Sequence, residues 1–190
     1  MTLDIKGDYI PFEQVVSAQK INLSSDVAFT NKIESAQKLL LKEIGDGNPI
    51  YGVTTGYGDS GKNYLICDDA DILQVNLYRF HGCGIGEILT QEEIFYTLLI
   101  RLISISKGHS GVSMELLQAI TSLIENGIYP AIPSKGSVGA SGDLTPLSYI
   151  AATLAGEREA LFKGEVVPSS EALEACRLKP YIFKPKEALA

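Results

Sequence analysis

The sequence predicts a mainly α-helical domain in which glycine-rich loops join the helices. Three observations carry that expectation. Successive stretches place apolar residues at helical spacing, they open on residues that cap a helix and close on glycine, and glycine-rich segments lie between them. Hydrophobic residues make up 45% and charged residues 21% of the 190, so a chain of this size can bury a core. No internal repeat, low-complexity tract or interdomain linker divides it, and residues 1–190 read as a single domain.

The first helical stretch, SSDVAFTNKIESAQKLLLKEIGDG, has serines able to cap its start and ends in Gly-Asp-Gly. The glycine-rich YGVTTGYGDSGKNY follows, and then DADILQVNLYRFHGCG, a helix expected to end near Gly82. In TQEEIFYTLLIRLISISKG, Thr90 and Glu93 have capping-box spacing and Gly108 is a plausible stop. SMELLQAITSLIENG runs from Ser113 to Gly127 in the same manner, and YPAIPSKGSVGASG leads to LTPLSYIAATLAGE. Pro146 is tolerable in that first turn, where its missing N–H has no helical partner. ALFKGEVV suggests a hairpin turning at Lys163-Gly164, SSEALEACRL a short helix, and KPYIFKPKEALA the start of a further element. That last stretch has the composition of a helix beginning without a stop, so an open reading frame truncated before a central helical bundle is the favoured expectation.

Charge excludes some partners. The net charge is −7 and no Lys/Arg cluster occurs, which argues against nucleic acid and against anionic membrane surfaces. The start lacks a basic stretch followed by an apolar one, and YTLLIRLISIS is too short to span a bilayer and contains Arg101. Cys67, Cys83 and Cys176 form no CxxC pair, so neither a disulfide framework nor a metal site is expected. They read as buried free thiols in a cytoplasmic protein.

The stretch GSVGASGD fits no common phosphate or nucleophile pattern. It lacks GxxxxGK[ST] and GxGxxG, and Ser141 has no GxSxG frame. A plain glycine loop is one reading. The other uses the tripeptide itself. Gly142 lets the backbone bend until its nitrogen reaches the Ala140 carbonyl carbon, and small neighbours limit the steric cost. Loss of the Ser141 hydroxyl as water then leaves a methylidene conjugated to a five-membered ring. The product, 4-methylidene-imidazole-5-one, is an electrophile made from the chain, with no diffusible cofactor.

GSVGASGDLTPLSYIA closely resembles the signature of the histidine and aromatic amino acid ammonia-lyase family, and YGVTTGYG resembles that family's upstream loop. HGCGIG and SKGHSGV match family stretches in the same order, so the resemblance runs from about Ile50 onward. It implies the N-terminal, electrophile-bearing domain of the ammonia-lyase fold. It further implies removal of ammonia from an aromatic L-amino acid, with a shift of the amine to the β carbon in some members. By the same resemblance Ala140, Ser141 and Gly142 form the electrophile, Asp143 is the acid that follows it, and Tyr51 removes the substrate β proton. Gly52, Gly56 and Gly58 let the Tyr51 loop approach the substrate, and Leu144 joins Gly58 among the binding positions. Phe80 and His81 match the pair that reads the substrate ring; Phe-His is a mixture of the family's patterns, and Thr54 leans towards phenylalanine or tyrosine. Taken alone, His109 near a helix end reads as a satisfied structural histidine.

The resemblance also implies what this sequence does not contain. The family continues with an asparagine-containing stretch, an arginine that grips the substrate carboxylate, and long helices that build a homotetramer. Each family site draws on several subunits. The isolated chain is therefore expected to be inactive or barely active, with apolar surface exposed. The rivals are an aminomutase using the same group and a non-catalytic helical interaction module.

Overall fold

The computed structural model describes residues 1–63, 70–138, 143–188 and 190. The chain opens with β1 (Thr2–Ile5), α1 (Phe12–Val16), β2 (Lys20–Leu23) and α2 (Val27–Gly45). A single turn of 3-10 helix at Gly58–Lys62 precedes α3 (Ala70–His81) and β3 (Ile85–Ile88). The centre is α4 (Gln91–Ile105) and α5 (Met114–Glu125), followed by β4 (Tyr129–Pro130), β5 (Pro133–Lys135) and α6 (Leu144–Leu154). Then come β6 (Glu159–Phe162), β7 (Glu165–Pro168) and α7 (Ser169–Ala175). Helices dominate, as expected.

α4 and α5 pack together because each buries one apolar stripe. On α4 this is Ile94, Leu98, Leu99, Leu102 and Ile105; on α5 it is Leu116, Leu117, Ile120, Leu123 and Ile124. Full burial of such a side chain contributes about 1.5–3 kcal/mol. α4 starts on the expected capping box: the Thr90 hydroxyl accepts the Glu93 N–H at 3.3 Å, and the Glu93 carboxylate accepts the Thr90 N–H at 2.8 Å. α6 packs on α3 and α5, and its burial changes along its length. Ser148–Leu154 are buried, whereas Leu144–Leu147 are half-buried and leave the first turn facing the candidate site.

Short strands close the edges. β1 pairs parallel with β2, with Leu3 and Ile5 turned into the core, and α1 lies in the crossover that a parallel pair requires. β3 pairs antiparallel with β5, and β4, β6 and β7 form an antiparallel sheet. The β6–β7 turn falls at Lys163-Gly164 as expected, with φ of 53° and 85°. Two positive values match the right-handed twist of the strands.

Four expectations are corrected. The cap of α2 is Asp26, whose carboxylate accepts the Ala28 and Phe29 N–H groups at 2.9 and 3.1 Å, and the preceding serines lie outside the helix. Residues 185–188 form a turn instead of starting a helix; Pro180 and Pro185 interrupt the segment, and Lys186 is left-handed at φ 75°. Cys83 is exposed and Cys176 half-buried, because the first follows the end of α3 and the second the end of α7; Cys67 lies outside the described residues. His109 is exposed, in the loop between α4 and α5, and makes no side-chain hydrogen bond among the described residues. No helix among those residues is long and apolar enough to cross a membrane.

Candidate active site

Residues 48–63 form a loop bonded to itself. The Thr54 hydroxyl accepts the Ile50 N–H at 2.7 Å and donates to the Asn48 carbonyl at 3.1 Å. The Thr55 hydroxyl accepts the Gly52 N–H at 3.3 Å and donates to the Gly56 carbonyl at 3.1 Å. Tyr57 donates to the Gly52 carbonyl at 3.0 Å, and burial, aided by neighbouring Tyr51, pushes its phenol up to about 12. Tyr57 therefore stays a protonated strut at neutral pH. The Tyr51 ring is 55% exposed, and its oxygen accepts the Gly58 N–H at 2.8 Å. Gly58 sits at φ +56°, and a side chain at Gly56 would stand 2.7 Å from the Ser60 Cβ, so both positions need glycine.

The end of α3 presents Phe80 and His81. Phe80 is 81% exposed and meets the His81 ring edge-on at 5.3 Å. His81 Nδ1 lies 2.9 Å from the Leu77 carbonyl, which can only accept, so Nδ1 carries the proton. That leaves Nε2 of the neutral ring as an acceptor. Glu157 anchors this end of α3: it accepts from Arg79 Nε at 2.9 Å and from the Tyr78 hydroxyl at 3.0 Å. The Arg79 hydrogen bond holds the Glu157 carboxyl below the usual carboxylate range, and burial pushes the Tyr78 phenol up to about 12. Arg158 completes the frame. Its guanidinium lies 4.8 Å over the Tyr149 ring and donates to the Arg79 carbonyl at 3.3 Å. It occupies the space a side chain at Gly82 would need, with Nη2 2.0 Å from that Cβ position.

The third part is the start of α6. Ala140, Ser141 and Gly142 lie outside the described residues. Asp143, at φ 61°, precedes the helix without capping it, and its carboxylate accepts from the Ser137 hydroxyl instead. Leu144 opens α6 and shares with His81 a cavity of about 90 Å³, whose wall also includes Tyr78, Arg101, Leu147 and Glu187. Asp143 and Ser137 line a neighbouring groove of about 520 Å³ together with Arg101, Pro146 and Leu147. The structure thus brings His81 to Leu144 and sets Asp143 beside them. Tyr51 lines neither space and shares no hydrogen bond with these residues.

The sequence model for aromatic amino acid lyases matches residues 11–190. The chain belongs to the aromatic amino acid lyase family. It is 35% identical to the histidine ammonia-lyase of Vibrio cholerae over 190 residues, which is 99% of this chain and 37% of that relative. It superposes at TM-score 0.92 and 31% identity on the ergothionase of Treponema denticola, an ergothioneine-degrading enzyme, over 100% of this chain and 38% of that one. The phenylalanine aminomutase of Pantoea agglomerans gives TM-score 0.91 and 28% identity, over 100% and 36%. The chain therefore spans little more than a third of the length of these lyase-family relatives.

Two residues of this lyase-family chain that motif reading passes over stand in the site. Arg101 borders both spaces, and its Nε is buried without a hydrogen-bond partner among the described residues. Burial pulls its guanidinium below the usual arginine range. An arginine inside the apolar run YTLLIRLISIS is the signal that could have found it. Glu187 carries no such signal, since in KPKEALA it reads as an ordinary polar position at the start of a helix.

Proposed function

We propose that this chain is the electrophile-bearing part of a cytoplasmic ammonia-lyase acting on an aromatic L-amino acid (phenylalanine, tyrosine or histidine). The products are the α,β-unsaturated acid and ammonia. The hydrogen bond from Ser137 to Asp143 carries the reading. It ties together the flanks of residues 138–142, where Ala140, Ser141 and Gly142 would close into 4-methylidene-imidazole-5-one, and closure between positions 140 and 142 requires a chain that doubles back. The start of α6 follows at once and favours negative charge nearby. Once formed, the ring supplies an electrophile that draws electron density from the substrate.

The chain's own residues do the rest. Acting as its phenolate, the exposed Tyr51 oxygen takes the β proton and becomes the phenol, and the Gly58 N–H, which donates to that oxygen, holds it in place. Phe80 offers an apolar face to the substrate ring. His81 offers Nε2 to a phenol or imidazole N–H or O–H, and Leu144 lines the space beside it. The separation of Tyr51 from these groups suits a homotetramer in which the loop and the electrophile come from different chains. With 37% of the length of its Vibrio relative, the chain by itself is expected to have little or no activity.

The test is the mass of the tryptic peptide Gly136–Arg158. The reading requires a peptide two waters lighter than its sequence, with Ser141→Ala unable to lose the second. An unmodified mass would mean that this chain does not mature alone. The likeness to an aminomutase favours a second outcome once a substrate is found, a shift of the amine to the β carbon. A β-amino acid among the products would decide for it.

A further inference from the structure

Glu187 is 3% exposed, yet it ends in a carboxylate. One oxygen accepts the Ser113 N–H at 2.9 Å. The other accepts the Tyr181 hydroxyl and the Lys184 N–H, each at 2.8 Å. Among the described residues no cation pairs with it; Lys184 Nζ goes to Glu115 at 3.0 Å instead. The carboxylate is met by neutral donors, one of them the N–H of Ser113 at the N-cap of α5, where the helix dipole favours an anion. The protons close consistently. Tyr181 spends its proton on Glu187, so Ser113 donates to Tyr181 at 3.1 Å while accepting the Leu116 N–H at 3.2 Å. The next residue is fixed as well: the Ala188 N–H donates at 3.0 Å to Gln74, a buried side chain two turns before His81 on α3. Glu187, Ala188 and Ala190 then form part of the wall of the cavity shared by His81 and Leu144.

We propose that Glu187 is a positioning residue: its buried carboxylate locks residues 181–188 onto the start of α5 and thereby sets the wall facing His81 and Leu144. That this cavity receives a substrate ring rests on the lyase reading; the lock itself does not. Hydrogen exchange of the 190-residue chain tests it without substrate. Glu187→Gln, which places amide hydrogens against the donors, should speed exchange about tenfold or more in peptides covering 181–190 and 113–118, as expected for loss of a charge-assisted hydrogen bond. Residues 27–45 should be unchanged. The His81 ring signal, separated from that of His109 in a His109→Asn background, should move. Tyr181→Phe removes one donor and should give a smaller effect in the same segments, and it serves if Glu187→Gln does not fold. Faster exchange everywhere, no change in 181–190, or faster exchange there with an unmoved His81 signal would each overturn the proposal. An unmodified 136–158 peptide would count against the lyase reading alone.

Discussion

The Tyr51 loop and the α3–α6 corner each carry residues assigned to chemistry, but different forces hold them. At the corner, Leu144 and His81 are placed by helices whose buried faces belong to the α4–α5 core. In the loop, Tyr51 is placed by hydroxyls bonding to backbone a few residues away. Burial ties a position to the whole domain, so it moves only when the domain unfolds. Local hydrogen bonds tie a position to its neighbours, so the loop is expected to open while the core stays closed, even though Val53 and Thr55 within it are buried. Under the proposed reading, the base that must meet its substrate lies in the second kind of region, and the groups that shape the pocket lie in the first.

Perturbations of the two regions should separate them. Leu117→Ala, at a fully buried core position, should lower the unfolding free energy by about 2–5 kcal/mol in urea titrations and speed exchange at the corner and in the core together. If the loop responded as strongly as the corner, the distinction would fail. Alkaline pH acts on both regions through tyrosines raised to about 12, Tyr78 at the corner and Tyr57 in the loop. Both phenols have their folded value above the unfolded value of about 10, so the stability they contribute is complete below pH 10 and is lost towards pH 12. Tyr78→Phe should flatten the fall in global stability over that window, whereas Tyr57→Phe should change only exchange within residues 48–63.

Smaller effects sharpen the boundary. Thr90→Ala removes half of the capping box and should cost about 1 kcal/mol of global stability, read as a shift of the urea midpoint. Gly56→Ala forces a Cβ against Ser60, yet the global loss should stay below about 1 kcal/mol because the loop can open on its own. Exchange at the Gly58 amide, which donates to Tyr51, should rise clearly in that variant.

What the sequence disclosed follows the range of the forces involved. Helix starts and the hairpin turn rest on residues three or four apart, so Thr90–Glu93 and Lys163-Gly164 were legible. The β1–β2 pair was not, because each strand has four residues and its partner lies across a crossover. The resemblance singled out Tyr51, Phe80, His81 and Asp143 one by one, without their arrangement. That His81 would share a cavity with Leu144, while Tyr51 stood apart, depends on α3 packing against α6. Glu187 is the extreme case: two of its donors, Tyr181 and Lys184, are near in sequence, but the third is the N–H of Ser113, 74 residues away, which no local pattern discloses.

Gly82 and Arg158 bear on how such a protein can change. A side chain can arrive at position 82 only after the guanidinium at position 158 has given way, and Arg158 also stacks on Tyr149 and holds the Arg79 carbonyl. Drift at either position is tied to the other. Phe80, two residues before Gly82 and open to solvent, carries no such debt. Under the proposed reading, the residue that meets the substrate ring at position 80 can therefore change while the frame beneath it stands still.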